Sequence, residues 1–148
     1  MISLLSLGKA GRAETPVARL RTEYLQRIQR FEPAESLWLS DEGAWARWRN
    51  THGGPGAWVV LLDSRGRSLS SEEFARSLGQ ARDSGKRRLV FAVGPADGWS
   101  QDSLGTADLR LSLGPMTLPH ELASALTAEQ VYRALTILAG HPYHLGHR

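Results

Sequence analysis

The 148-residue chain is 41% apolar and 22% charged, the balance of one soluble globular domain able to bury a core. It has no cysteine, which excludes disulfides and thiolate metal sites and fits a cytoplasmic protein. No apolar run approaches the ~20 residues that cross a bilayer, and Met1 to Leu7 lacks the basic start and the length of a secretory signal, so no membrane partner is expected.

Ile2 to Leu7 reads as a buried strand. Thr15 and Pro16 make a helix start, a hydroxyl N-cap before a proline at the first helical position. Val17, Leu20, Tyr24, Ile28 and Phe31 then recur at helical spacing as one apolar face, which stops before Pro33. Ser36 to Leu39 predicts a second strand. Asp41 to Gly56 predicts a short helical piece and a mobile loop through Gly53, Gly54, Pro55 and Gly56. Its Trp45 and Trp48 either stack on RNA bases or cover an edge of the core.

Ala57 to Leu62 is an unbroken apolar run, the mark of a strand buried on both faces in a parallel sheet. Asp63 to Arg67 predicts a turn. Ser70 and Glu73 form a capping box, opening a helix that carries Phe74, Leu78 and Ala81 and ends near Gly85. Leu89 to Val93 is another continuous strand, closed by Gly94 and Pro95. Trp99 to Thr106 is weakly helical, and Leu109 to Leu113 is a short strand before the loop Gly114-Pro115-Met116. The last helix starts at Pro119 or His120, with Leu122, Leu126, Val131, Leu135 and Leu138 as its apolar side. Gly140 is its C′ glycine and Pro142 prevents continuation.

Strands alternating with helices predict a single α/β domain over residues 1–148, with a mostly parallel sheet and helices on both faces. Ligands bind such sheets outside the carboxyl ends of the strands. Three strand ends carry loop-forming residues: Asp63-Ser64-Arg65-Gly66, Gly94-Pro95-Ala96-Asp97-Gly98 and Gly114-Pro115-Met116. Charge is uneven. Seven basic and three acidic residues between Arg65 and Arg88 give that segment +4, so the rest of the +3 chain sums to −1. Such a patch is either a footprint for nucleic-acid phosphates or a solvated helix face.

The same loops and the tail resemble the RlmH family, bacterial enzymes of the SPOUT class that methylate N3 of a pseudouridine in 23S ribosomal RNA. The resemblance rests on Leu62-Asp63-Ser64-Arg65-Gly66, on Phe91-Ala92-Val93-Gly94 with Ala96-Asp97-Gly98, and on Leu111-Ser112-Leu113-Gly114 with Met116-Thr117. It is strongest at Pro119-His120, at Ala128-Glu129-Gln130 with Tyr132-Arg133-Ala134, and at His141-Pro142-Tyr143-His144. Order and spacing agree through most of residues 57–144, and Leu4 to Gly8 agrees more loosely.

This resemblance implies a SPOUT-like α/β fold with a C-terminal trefoil knot, a homodimer, and S-adenosyl-L-methionine as methyl donor. By position it implies donor contacts at Leu62, Gly94, Leu113, Gly114, Pro115, Met116, Thr117 and Leu118. Glycine at 94 and 114 would let backbone approach the ligand. The partner implied is ribosomal RNA or the ribosome. Two departures stand out: Pro95 replaces a second glycine and removes an N–H donor, and Leu145 follows His144 where many relatives end on a basic residue. Arg148 is the basic residue available to replace it.

Methyl transfer to a protonated ring nitrogen needs positioning and a way to handle the proton. The catalytic candidates are His144 as proton acceptor, Tyr143 against the target base, Arg133 on phosphate or developing negative charge, and Glu129, one turn before Arg133, to orient it. The plainer alternatives are a surface ion pair for Glu129 and Arg133, and a frayed terminus for Tyr143 and His144. His141, His144 and His147 recur at intervals of three, but Pro142 and Gly146 oppose a helix that would align them, so no metal is expected. A non-catalytic RNA- or ribosome-binding module, and an enzyme of this class acting on tRNA, are the competing functions.

Overall fold

The computed structural model describes residues 1–147, without the side chain of His147; Arg148, the expected replacement for the basic tail residue, lies outside the described residues. Five parallel strands form one sheet in the order β2-β1-β4-β3-β5: β1 (Ile2–Leu7), β2 (Ala34–Leu39), β3 (Ala57–Ser68), β4 (Arg88–Val93) and β5 (Leu109–Ser112). The helices are α1 (Pro16–Gln29), α2 (Glu42–His52), α3 (Ser71–Asp83), α4 (Gln101–Leu104) and α5 (His120–Ala139).

Both faces of the sheet are covered, as continuous apolar strands require. On one face Leu4, Trp58, Val60 and Phe91 pack under Ile28 of α1, Phe74 and Leu78 of α3, and Ala128, Val131 and Leu135 of α5. On the other, Leu5, Leu7, Val59, Leu61, Val90 and Ala92 pack with Trp45 of α2 and Leu104 of α4. Trp45 is therefore core; Trp48 stacks beside it, ring centroids 6.0 Å apart. The base-stacking reading does not hold for Trp45.

The expected caps are present. Thr15 accepts from the Ala18 N–H, Ser70 and Glu73 complete a capping box, and Gly140 is left-handed at φ 71°. Several expectations are corrected. The segment after Asp41 is a helix of 11 residues, because the Asp41 carboxylate caps it by accepting from Ala44 N–H. The turn expected at Asp63 to Arg67 is a bulge inside a continuous strand: Leu62 and Arg67 both oppose Leu111, so residues 63–66 loop out of the ladder and pairing resumes at Arg67. Gly66 makes this possible, since a Cβ there would lie 2.6 Å from the Arg110 carbonyl.

The helix faces also shift. Leu20, Phe31, Leu122 and Leu138 are exposed, while Ala18, Ser124, Thr127 and Thr136 are buried. Small residues let α5 lie close on the sheet, and their hydroxyls find local partners: Ser6 Oγ donates to Ser124 Oγ at 2.8 Å, Thr127 to the Ala123 carbonyl and Thr136 to the Arg133 carbonyl.

Candidate functional site

The carboxyl ends of β3, β4 and β5 open into a cavity of about 400 Å³, within the roughly 300–1,000 Å³ typical of small-molecule sites. Three loops wall it. The β3 bulge supplies Leu62 to Arg65, the loop after β4 supplies Val93 to Trp99, and the loop after β5 supplies Leu113, Gly114, Met116, Thr117 and Leu118, with His120 and Ala123 from α5 behind them. Of the expected donor contacts, all but Pro115 line the cavity.

Ser112 ties two of the loops together. Its hydroxyl lies 3.1 Å from the Ser64 carbonyl and 3.2 Å from the Gly114 carbonyl, and it accepts from the Gly114 N–H at 3.0 Å. Gly114 sits at φ +124°, and a Cβ there would meet nothing within 4 Å, so backbone conformation alone explains glycine at this position. Gly94 has a different cause from the expected ligand approach. A Cβ would lie 2.7 Å from Trp99 Nε1, and that nitrogen donates to the Leu62 carbonyl at 3.0 Å. The Trp99 indole thus fills the space glycine leaves and fixes two of the three loops.

The cavity is lined by polar and apolar groups in similar measure. Leu62, Val93, Leu113 and Leu118 give apolar walls and Met116, 81% exposed, stands at the mouth. Asp63 and Asp97 are the acidic side chains in the lining. The Asp63 side chain is 9% exposed, and its neighbour is Arg65, whose backbone N–H lies 3.4 Å away and Nε 3.7 Å away. Asp63, Trp99 and His120 were not singled out as contact residues by sequence reasoning. Asp63 and His120 lay inside quoted motifs, whereas Trp99 left no signal beyond a tryptophan after a Gly-rich loop.

Glu129, Arg133, Tyr143 and His144 do meet, as expected, but none of them lines this cavity. They join the α5 face to the tail. Arg133 donates to Glu129 through Nε at 3.1 Å and Nη2 at 2.7 Å. Tyr143 donates its hydroxyl to Glu129 at 2.8 Å and lies 3.2 Å from the Tyr24 hydroxyl, while the Arg133 guanidinium rests over the Tyr143 ring at 4.9 Å. Because Tyr143 gives its proton to Glu129, the Tyr24 hydroxyl is the donor between the two tyrosines.

His144 has its tautomer set by its neighbours. Arg133 Nη1 can only donate, so Nδ1, 2.9 Å away, accepts; Nε2 therefore carries the proton and donates to Glu72. Burial opposes the charge on Arg133, but the ion pair with Glu129 outweighs it and raises the guanidinium pKa. Burial, with the hydrogen bonds to Tyr24 and Glu129, pushes the Tyr143 hydroxyl well above the ordinary tyrosine value. The tail is thus docked rather than frayed. Among the described residues no group of three or more potential metal ligands comes together.

A parallel α/β sheet carries a three-loop cavity at its carboxyl ends, and residues 1–144 match the family described as "Predicted SPOUT methyltransferase". The chain belongs to the SPOUT methyltransferase family. Its relatives include Ribosomal RNA large subunit methyltransferase H of Koribacter versatilis (strain Ellin345), 46% identical over 134 residues that span 90% of this chain and 92% of that protein. The protein of the same name from Rhizobium meliloti (strain 1021) is 44% identical, over 97% of this chain and 98% of its own. These relatives place the chain in the RlmH family its motifs resemble. A probable methylase family protein from Haemophilus influenzae Rd KW20 shares the fold, with a TM-score of 0.56 at 11% identity over 98% of this chain and 69% of that one.

Proposed function

We propose that this protein transfers a methyl group from S-adenosylmethionine to N3 of a pseudouridine in 23S ribosomal RNA, as a cytoplasmic homodimer whose C-terminal segment is threaded as a trefoil knot. The observation that carries the reading is the three-loop cavity lined by Leu62, Gly94, Leu113, Gly114 and Met116 to Leu118 in a chain of the RlmH family. The donor, when bound, supplies an electrophilic methyl: its C–S bond breaks as the N–C bond forms, and the electron pair stays on sulfur.

The chain's own residues bind, orient and handle the proton. Apolar Leu62, Leu113 and Leu118 would grip the adenosine, and backbone groups of the loops would read its edge. Asp63 would offer negative charge to the cationic donor. The target nitrogen must lose its proton before or during attack. His144 has the right chemistry for that, but its lone pair on Nδ1 is held by Arg133. Proton acceptance by His144 therefore requires the Arg133 contact to open on RNA binding. Glu129, Arg133 and Tyr143 act as the group that positions the tail for this change. A partner copy would cover apolar side chains left exposed on the helices, Leu20 on α1 and Leu122 on α5 among them.

Two measurements test the reading. Calorimetry should show S-adenosylmethionine binding, abolished by Leu118→Arg. Mass spectrometry of ribosomal RNA should lose the methylated-pseudouridine signal in a deletion strain. No donor binding would favour a non-catalytic RNA- or ribosome-binding module. Donor binding with unchanged ribosomal RNA would favour a tRNA substrate. Light scattering checks the dimer.

A further inference from the structure

A second cavity joins the two separated parts of the site. It measures about 390 Å³ and shares Leu113 and Gly114 with the donor cavity. Its far wall holds Ser71 and Gln130, the residue next to Glu129. The polar side chains that line it, Ser68, Ser70, Ser71, Ser112 and Gln130, are all uncharged. We propose that this cavity is the acceptor subsite, taking one neutral pyrimidine ring turned out of the RNA, and that the Gln130 amide reads an edge of that ring.

Three observations carry this. First, the lining has no cation, so it is not built for phosphate, and its apolar walls include Leu111, Leu113 and Leu126, which suit the faces of a flat ring. Second, the Gln130 amide is held in one orientation. Ser71 Oγ donates to its Oε1 at 2.8 Å, and its Nε2 donates to Glu129 at 3.0 Å, a carboxylate that can only accept. One N–H and one lone pair remain for a ligand, the complement of the adjacent C=O and N–H of a uracil-type ring. Third, the cavity has the donor loop on one side and the hydrogen-bonded run Ser71–Gln130–Glu129–Arg133–His144 on the other. It therefore supplies what the donor cavity alone lacks, a place between donor and tail. The assignment rests on the proposed function, because only a methyl-accepting base needs to lie against the donor loop.

The test uses Gln130→Met, which keeps the volume and removes the amide. Gln130→Met is expected to lower kcat/KM for ribosomal substrate about tenfold or more, with the affinity for S-adenosylmethionine within about twofold of wild type. Gln130→Met within twofold of wild type in kcat/KM would overturn the proposal, and a matching loss of donor affinity would make Gln130 a strut between helices and overturn it as well. Leu126→Trp, which fills the cavity, should abolish transfer while donor binding by calorimetry persists; full activity in a folded Leu126→Trp protein would also overturn it. Wild-type methylation and donor binding, measured alongside, report separately on the proposed function.

Discussion

Trp99 and Leu62 are tied by a hydrogen bond from the indole Nε1 to the main-chain carbonyl, 3.0 Å long and buried, and it joins the loop after β4 to the part of β3 just before its bulge. Trp99 also packs against Trp45, with ring centroids 5.5 Å apart, so the three-loop cavity is anchored to the core on the Trp45 face of the sheet. Trp99→Phe keeps most of the packing and loses the bond. Removing a buried donor of this kind costs about 1 kcal/mol, or roughly 2–4 °C in Tm for a domain near this size. Affinity for S-adenosylmethionine should fall by several-fold. Scanning calorimetry and titration calorimetry read the two effects, and unchanged affinity would show that the Leu62 carbonyl is not held for the donor.

Gly94→Ala tests the other side of the same contact. The new methyl would meet the indole at 2.7 Å, and the φ of Gly94 lies outside the left-handed region, so crowding is the whole effect. Overpacking of this kind costs about 1–3 kcal/mol. In a double-mutant cycle with Trp99→Leu, Gly94→Ala should cost less in the Trp99→Leu background than in wild type, and an equal cost in both would refute the steric account.

Legibility in the sequence followed the range of each signal. The Ser70–Glu73 capping box, the Thr15–Pro16 start and Gly140 are local devices, and each stands where it was read. The continuous run Ala57 to Leu62 correctly implied burial on both faces. The bulge at residues 63–66 was hidden because Asp-Ser-Arg-Gly has the composition of a turn, and only pairing with Leu111, far along the chain, returns Arg67 to the sheet. Leu122 and Leu138 looked like core because they are large and apolar. The sheet instead receives Ser124, Ala125 and Thr127, which permit close approach. That the loop after β5 borders a cavity was legible from Gly114-Pro115-Met116 at the end of a strand. The separation of this loop from the tail was not, since that depends on which face of α5 carries Glu129.

Tyr143 should make stability sensitive to alkali. Burial, together with its bonds to Tyr24 and Glu129, raises its pKa in the folded protein above the unfolded value of 10.0. A group raised in this way contributes stability that is complete below pH 10 and declines as pH rises beyond it, because the unfolded chain ionises first. Wild type should therefore lose stability above about pH 10, and Tyr143→Phe should show a shallower decline there, with a lower plateau at pH 7. Denaturant melts between pH 7 and 11 measure this; an equal alkaline slope in both proteins would contradict the assignment.

The pair Glu129 and Arg133 is mostly removed from water, with side chains 15% and 12% exposed. Breaking such a pair from one side leaves an uncompensated charge, so Arg133→Met should destabilise by about 3 kcal/mol. Glu129→Gln together with Arg133→Met removes both charges and should be about 1 kcal/mol or more better than Arg133→Met alone, a coupling visible in a double-mutant cycle. The tail offers an independent readout. Arg133 holds the His144 Nδ1 lone pair, so Arg133→Met frees that nitrogen. Limited proteolysis should then cut near His141 to His144 faster than in wild type. A tail as protected as in wild type would show that the Glu72 contact to Nε2 suffices to dock it, and that the Arg133 contact is the one free to open on RNA.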